Sequence, residues 1–196
     1  MRTFIGIDLP GEWVRALSQA RTVFREGGGE WARGRWVPAE NLHITLNFLG
    51  ELEPGAADSL SQELTSVCKT RMPFCLPLID PVVPVHSMAR ATMMWALFDD
   101  PQGTCADLVG AIATVATGYG IAPKTRPYVP HVTLVRARRP SRVDQLLRAD
   151  ASNAIRSALG EADPSVSVRE ITVYSSTLRR AGATYQRRAR IMLGSR

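Results

Sequence analysis

A four-residue pattern occurs twice in this chain, as His43-Ile44-Thr45-Leu46 and as His131-Val132-Thr133-Leu134. The chain has only three histidines, and two of them begin these copies. Alternate side chains of a β-strand point to the same face. Each copy therefore predicts a half-buried strand with its histidine and threonine on the open face and its two aliphatic residues in the core. No other feature of the sequence limits the fold as strongly.

The two histidines have a structural and a functional interpretation. A single histidine on a strand is more often a surface or hydrogen-bonded residue than a catalyst, but two copies with the same spacing favour a functional pair. Histidine titrates near pH 6.5, so one ring can accept a proton while the other donates one. The threonine hydroxyls could bond to phosphate oxygens. The third histidine, His86, lacks the motif and is predicted to lie in an exposed, irregular loop that includes Pro81 and Pro84.

Length and composition favour an ordinary globular protein. The 196 residues, 45% of them hydrophobic, suffice for one good-sized domain or two lobes with a common core. The N-terminus becomes charged too early for a signal peptide, and no apolar run approaches the roughly 18 residues of a membrane span. We therefore expect a cytoplasmic protein. The three cysteines match no metal or redox spacing, which favours reduced and mostly buried thiols.

Positive charge is concentrated around the second copy of the motif. The net charge of +6 favours an anionic partner without naming it. The stretch from residue 124 to residue 142 contains no acidic residue and six basic ones: Lys124, Arg126, Arg136, Arg138, Arg139 and Arg142.

Hydrophobic periodicity predicts strands that alternate with helices in both halves of the chain. The first half is predicted to have strands at 3–9, 31–37, His43 and 74–79, with helices at 12–24 and 56–67. The second half is predicted to have strands at 92–98, His131, 166–174 and 183–193, with helices at 103–119 and after a cap at Ser141. The repeated order predicts a duplication with two pseudo-equivalent lobes. Short strands with one polar face favour antiparallel α+β lobes.

Phe48 and Arg136, each five residues after a motif histidine, are further candidates for substrate contact. A guanidinium can grip a phosphate through two hydrogen bonds, and an aromatic ring can stack on a base. Strict alternation places both side chains opposite their histidines. Either the strand ends or bulges near this point, or Arg136 is only a surface charge and Phe48 a core residue.

Other chemistries fit the sequence less well. Neither copy has further His, Cys or carboxylate residues nearby at metal-ligand spacing, and no phosphate-binding loop of the Walker type is present. The glycines at 27–29 precede Glu30 and Trp31 rather than opening a helix. We expect neither a metal nor another cofactor.

The motif and its flanking residues resemble the two-histidine phosphoesterase superfamily, and within it the bacterial and archaeal RNA 2',3'-cyclic phosphodiesterases, historically called 2'-5' RNA ligases. The matching stretches lie in register over nearly the whole chain, at residues 2–10, 35–50, 130–136 and 173–178. The resemblance implies an α+β fold of two lobes, with antiparallel sheets flanking a central V-shaped cleft and helices outside, formed by residues 1–196 as one domain. It implies hydrolysis of RNA 2',3'-cyclic phosphate ends to 2'-phosphomonoesters without metal or ATP, and we expect a monomer.

The family's extended motifs, HxTxxF and HxTxxR, are both present and imply roles for six residues. His43 would protonate the O3' leaving group as general acid, and His131 would activate water as general base. Phosphate binding would fall to Thr45, Thr133 and Arg136, and base stacking to Phe48. One departure is Asn47, where relatives usually carry a basic residue.

Two alternatives to this function remain open at the level of the sequence. One is an RNA- or nucleotide-binding module without turnover, although such a module has no need for two imidazoles. The other is the same cleft acting on other cyclic nucleotides or on 2'-5' RNA linkages, including their ligation.

Overall fold

A computed structural model describes residues 1–123, 125–160, 164–179 and 182–194, so Lys124 of the basic stretch lies outside the described residues. The strands in these ranges are β1 (Arg2–Asp8), β2 (Arg35–Trp36), β3 (His43–Glu51), β4 (Phe74–Pro84), β5 (Ala91–Phe98), β6 (His131–Ser141), β7 (Ser165–Val168), β8 (Glu170–Arg179) and β9 (Gly182–Met192). The helices are α1 (Gly11–Glu26), α2 (Gly29–Ala32), α3 (Pro54–Lys69), α4 (Thr104–Thr117) and α5 (Gln145–Leu159). None of the described helices is long and apolar enough to span a membrane.

The strands form antiparallel pairs in the order β7-β4-β5-β6-β3-β1-β8-β9, with the short β2 beside β6. The two motif strands, β3 and β6, are central neighbours and meet at the pair Ile44 and Val132. The sheet thus divides into two halves, β3-β1-β8-β9 and β6-β5-β4-β7, with the motif histidines at their boundary. The predicted α+β fold with antiparallel sheets is confirmed.

When the short elements α2, β2 and β7 are left aside, the order β1-α1-β3-α3-β4 recurs as β5-α4-β6-α5-β8, which is the repeat that the sequence predicts. The last strand of each unit pairs in the opposite half of the sheet: β4 pairs with β5, and β8 pairs with β1. Each half of the sequence therefore completes the other half of the sheet.

The core contains the aliphatic residues of both motif copies. Ile44 and Val132 are fully buried, and Leu46 and Leu134 are 2% exposed. Two of the cysteines are also buried, and burial raises the pKa of Cys68 to about 11 and that of Cys105 to about 12. Both thiols are therefore unreactive side chains of the core at neutral pH.

The predicted strand at 31–37 is wrong over most of its length. The glycines before Trp31 open the short helix α2, with Gly28 and Gly29 at φ of 73° and 78°, a region that glycine enters without steric cost. Trp31 is 5% exposed, and its indole Nε1 donates a hydrogen bond to the backbone carbonyl of Arg142. This long-range contact outweighs the local strand pattern.

Three other boundaries differ from the sequence prediction. β4 continues through Pro81 to Pro84, because a register shift against β5 between Asp80 and Val83 accommodates the proline. Ser141 ends β6 rather than capping a helix, and α5 is capped by Asp144, whose carboxylate accepts from two backbone N–H groups. The strand predicted at 166–174 is divided into β7 and β8.

Candidate active site

His43 is held through both ring nitrogens. Its Nδ1 lies 2.7 Å from the backbone carbonyl oxygen of Asn41, which can only accept, so Nδ1 carries a proton. In the neutral ring Nε2 then has the lone pair, and the Thr45 hydroxyl, 2.9 Å away, donates to it. The backbone thus selects the tautomer, and Nε2 is the atom that can exchange protons.

Aromatic rings enclose His43. Its ring centroid lies 4.9 Å from that of Phe4, 5.8 Å from that of Tyr174 and 5.4 Å from that of Tyr185, which meets it edge-on. Burial lowers the pKa of His43, and the positive charge of His131 acts in the same direction, whereas the Asn41 carbonyl and the Asp8 carboxylate oppose the shift. The neutral form of the His43 imidazole is therefore favoured when no substrate is bound.

The Asp8 carboxylate lies at the end of β1, opposite His43 in the register with β3. It accepts hydrogen bonds from the hydroxyls of Thr172 and Tyr174 and from Nε and Nη2 of Arg187. Burial opposes ionisation of Asp8, but these donors outweigh it and lower the pKa of the carboxyl. A fixed negative charge therefore supports the protonated form of His43.

His131 repeats the backbone arrangement of His43. Its Nδ1 lies 2.7 Å from the backbone carbonyl oxygen of Val129, which again sits two residues before the histidine and leaves Nε2 to exchange protons. The indole of Trp95 stacks on the imidazole, with centroids 3.8 Å apart and planes 23° apart. A stacked indole stabilises the imidazolium that forms when His131 takes up a proton.

Two β-bulges determine where Phe48 and Arg136 point. Against β1, Ile5 pairs with Asn47 and Gly6 with Thr45, so Leu46 is the extra residue of β3. Against β5, Met94 pairs with Val135 and Trp95 with Thr133, so Leu134 is the extra residue of β6. Two consecutive buried residues follow each threonine, and the next side chain is exposed. Phe48 and Arg136 are thereby returned to the faces of His43 and His131.

Most of the predicted site residues line a cavity of about 450 Å³. Five of the six line it: Thr45, Phe48, His131, Thr133 and Arg136. His43, the sixth, reaches this group through its hydrogen bond to Thr45, and the charge of His131 acts on it. Phe48 is 56% exposed. Asn47, the departure from the family pattern, is 6% exposed and also lines the cavity.

Several residues of the site were not singled out from the sequence. They are Asp8, Trp95, Tyr128, Tyr174 and Tyr185. The hydroxyl of Tyr128, three residues before His131, donates to the backbone carbonyl of Thr45, 3.0 Å away, and so links the two motif strands. Asp8 and Tyr174 belong to stretches that resemble the family, which was a usable signal, whereas Trp95 enters only through the pairing of β5 with β6. His86, in contrast, is exposed and bonds to Thr92.

The chain is similar to known phosphoesterases in sequence and in fold. A family model described as LigT like Phosphoesterase matches residues 7–79 and 98–185. The RNA 2',3'-cyclic phosphodiesterase of Escherichia coli is 29% identical over 185 residues, covering 94% of this chain and 92% of that protein. The RNA 2',3'-cyclic phosphodiesterase of Methanothermobacter thermautotrophicus is 26% identical over 188 residues, covering 94% and 95%. The crystal structure of E. coli LigT complexed with 3'-AMP aligns with a TM-score of 0.72 and 26% identity, covering 99% and 98%.

Proposed function

We propose that this chain, which belongs to the LigT-like phosphoesterase family, hydrolyses RNA 2',3'-cyclic phosphate ends to 2'-phosphomonoesters by paired histidine acid–base catalysis. The observation that carries the proposal is the matched pair of imidazoles, of which His131 lines the cavity and His43 is bonded to Thr45 in its lining. Both rings have Nδ1 bonded to a backbone carbonyl, and hydroxyl and guanidinium donors lie next to them.

His131 is the proposed general base. Its Nε2 accepts a proton from water, and the water oxygen forms a bond to phosphorus. The bond between phosphorus and O3' breaks, and His43 gives its Nε2 proton to O3', so that the phosphate stays on O2'. His131 ends protonated and His43 neutral, and proton exchange with solvent restores both rings.

His43 must carry a proton at Nε2 to act as the acid, although its surroundings lower its pKa. A cyclic phosphate bound beside Thr45 brings a negative charge close to the ring, and an opposite charge favours the imidazolium. The substrate therefore promotes the protonation that its own cleavage needs. Thr45, released from Nε2 when that atom is protonated, becomes available as a donor to a phosphate oxygen.

The remaining residues bind the substrate in this proposal. Thr133 and the guanidinium of Arg136 donate to the non-bridging phosphate oxygens, whose negative charge grows in the transition state. The exposed ring of Phe48 stacks on the terminal base. The proposal includes a monomer that works without metal or ATP.

The test is to incubate the purified protein with a short RNA ending in a 2',3'-cyclic phosphate, in EDTA and without ATP, and to determine the position of the product phosphate. We expect a 2'-phosphate, a bell-shaped pH–rate profile, and loss of activity by a factor of about 10² or more in His43→Ala and in His131→Ala. His86→Ala removes the histidine outside the motif and is the matched control. Light scattering of the same sample tests the monomer.

Several results would contradict the proposal. RNA binding without turnover would indicate a binding module, and cleavage or formation of 2'-5' linkages alone would indicate the other alternative. Loss of activity in EDTA, or a rate that rises steadily through neutral pH, would contradict the paired-histidine mechanism.

A further inference from the structure

A groove of about 830 Å³ runs from the candidate active site along α1 and β2. Among the residues that the structure describes, its lining contains no acidic side chain and five arginines: Arg21, Arg25, Arg35, Arg136 and Arg138. We propose that this arginine groove binds the single-stranded RNA backbone on the 5' side of the cyclic phosphate. The inference rests on the proposed function, because the chemistry at the cleft determines which end of the strand is bound there.

The arginine groove is continuous with the two histidines. Arg136 lines both the groove and the cavity beside His131. At the other side, Asn41 and Tyr185 line the groove, and these are the residues that hold His43 through a backbone carbonyl and an edge-on ring contact. A 2',3'-cyclic phosphate is the 3' end of its strand, so the strand can leave the cleft only in the 5' direction. The groove begins where that strand must go.

Within the described part of the chain, no carboxylate neutralises the charges of the groove. Among the described residues, none of its five arginines forms an ion pair with a carboxylate. Arg139, the neighbour of Arg138 outside the groove, does pair with Glu30, at 2.8 Å. Arg35 and Arg136 are direct cross-strand partners in β2 and β6. Like charges in directly opposite positions destabilise a pair of strands. A bound polyanion would relieve this repulsion.

The shape of the groove suits a single strand. Arg21 and Arg25 are exposed and one turn apart on α1, about 6 Å along its axis, a distance comparable with one or two phosphate spacings of about 3.4 Å in a stacked strand. Trp36 and Tyr185 also line the groove. Cationic grooves with interspersed aromatic rings are typical of proteins that bind single-stranded nucleic acid.

The test compares kcat/KM for a six-nucleotide RNA ending in a 2',3'-cyclic phosphate with kcat/KM for a mononucleoside 2',3'-cyclic phosphate. We expect kcat/KM of the wild type to be higher for the RNA than for the mononucleotide. In the Arg21→Gln/Arg25→Gln double variant, the ratio of these two kcat/KM values should fall about tenfold. Glutamine retains helix propensity while removing the charge. The matched control is Arg15→Gln, since Arg15 is an exposed arginine of α1 outside the groove. The ratio of the two kcat/KM values in this control should equal that of the wild type.

The salt dependence of RNA binding gives a second readout. Two lost phosphate contacts should reduce the slope of log K against log salt by about 1.4, measured by anisotropy with a labelled six-nucleotide RNA ending in a 3'-phosphate. Three results would overturn the inference. They are equal kcat/KM of the wild type for both substrates, an unchanged salt slope of RNA binding in the double variant, and tighter binding of duplex RNA than of single-stranded RNA. If the wild type hydrolyses neither substrate, the proposed function fails, while the anisotropy measurement still tests the groove.

Discussion

Asp8→Asn is a test of how the protein holds His43. The Asp8 carboxylate accepts four hydrogen bonds, including those from Arg187 Nε at 2.9 Å and Nη2 at 3.0 Å. Thr172 is fully buried and Tyr174 is 4% exposed, so their hydroxyls have little access to water as an alternative partner. The substitution removes the charge and one acceptor oxygen, and it leaves at least one of these donors poorly satisfied.

The expected loss of stability can be worked from these contacts. A hydrogen bond to a charged group contributes about 1.5–3 kcal/mol, whereas an exposed ion pair contributes about 0–1 kcal/mol. The Arg187 side chain is 51% exposed, so most of the effect comes from the hydroxyls. Since asparagine keeps one oxygen, we expect a loss of about 2 kcal/mol. For a chain of this length, this corresponds to a melting temperature lower by about 4–8 °C.

The pH dependence follows from the lowered pKa of Asp8. Because the folded-state pKa lies below the unfolded value of about 3.9, the ionised carboxylate stabilises the fold above that value, and this stability is lost as the pH falls through the folded pKa. Circular dichroism melts should therefore differ between wild type and variant at pH 7, and the difference should shrink as the pH falls below about 4 towards the folded-state pKa of Asp8. Arg187→Ala, which removes the exposed partner, should cost less. Equal melting temperatures at pH 7 would refute the reasoning.

The same variant should change catalysis in a pH-dependent way. Asp8 raises the pKa of His43 against the effect of burial, so its loss reduces the fraction of protonated His43. If His43 is the acid, the loss of kcat/KM is larger at about pH 8 than at about pH 5.5, because protonation of the ring depends less on Asp8 as the pH falls. A loss of equal size at both pH values would assign Asp8 a purely structural role.

Two further substitutions test how the histidines are positioned. Trp95→Leu removes the ring stacked on His131, a contact of about 0.5–1.5 kcal/mol, so kcat should fall roughly 2- to 10-fold. Trp95→Phe should recover part of the lost kcat. An unchanged kcat in Trp95→Leu would contradict a role of the indole in supporting His131. Gly6→Ala places a Cβ 2.8 Å from the Ile44 backbone oxygen and 3.2 Å from the His43 ring, which should cost about 1–3 kcal/mol in thermal unfolding and lower kcat. Gly55→Ala, whose Cβ meets none of the described residues within 4 Å, is the control, and equal effects of the two alanines would contradict the steric argument.

The sequence predicted those parts of the fold that depend on local pattern. The alternation in each motif copy was enough to place Ile44 and Val132 in the core. It could not show that β4 and β8 are exchanged between the halves, because that depends on pairing between residues far apart in the chain. Trp95 joins the site for the same reason: it lies opposite Thr133 only in the register of β5 with β6.

The two bulges explain how a duplicated scaffold can serve an asymmetric reaction. The sequence left the faces of Phe48 and Arg136 open, since one extra residue in a strand reverses every later side chain. Both copies have this extra residue at the same position, Leu46 and Leu134, so the fifth residue after each histidine faces the cleft in both lobes. One lobe presents an aromatic ring there and the other a guanidinium. In the proposed mechanism this difference, together with the burial of the His43 ring, lets symmetric strands offer a base-binding and a phosphate-binding side to one substrate.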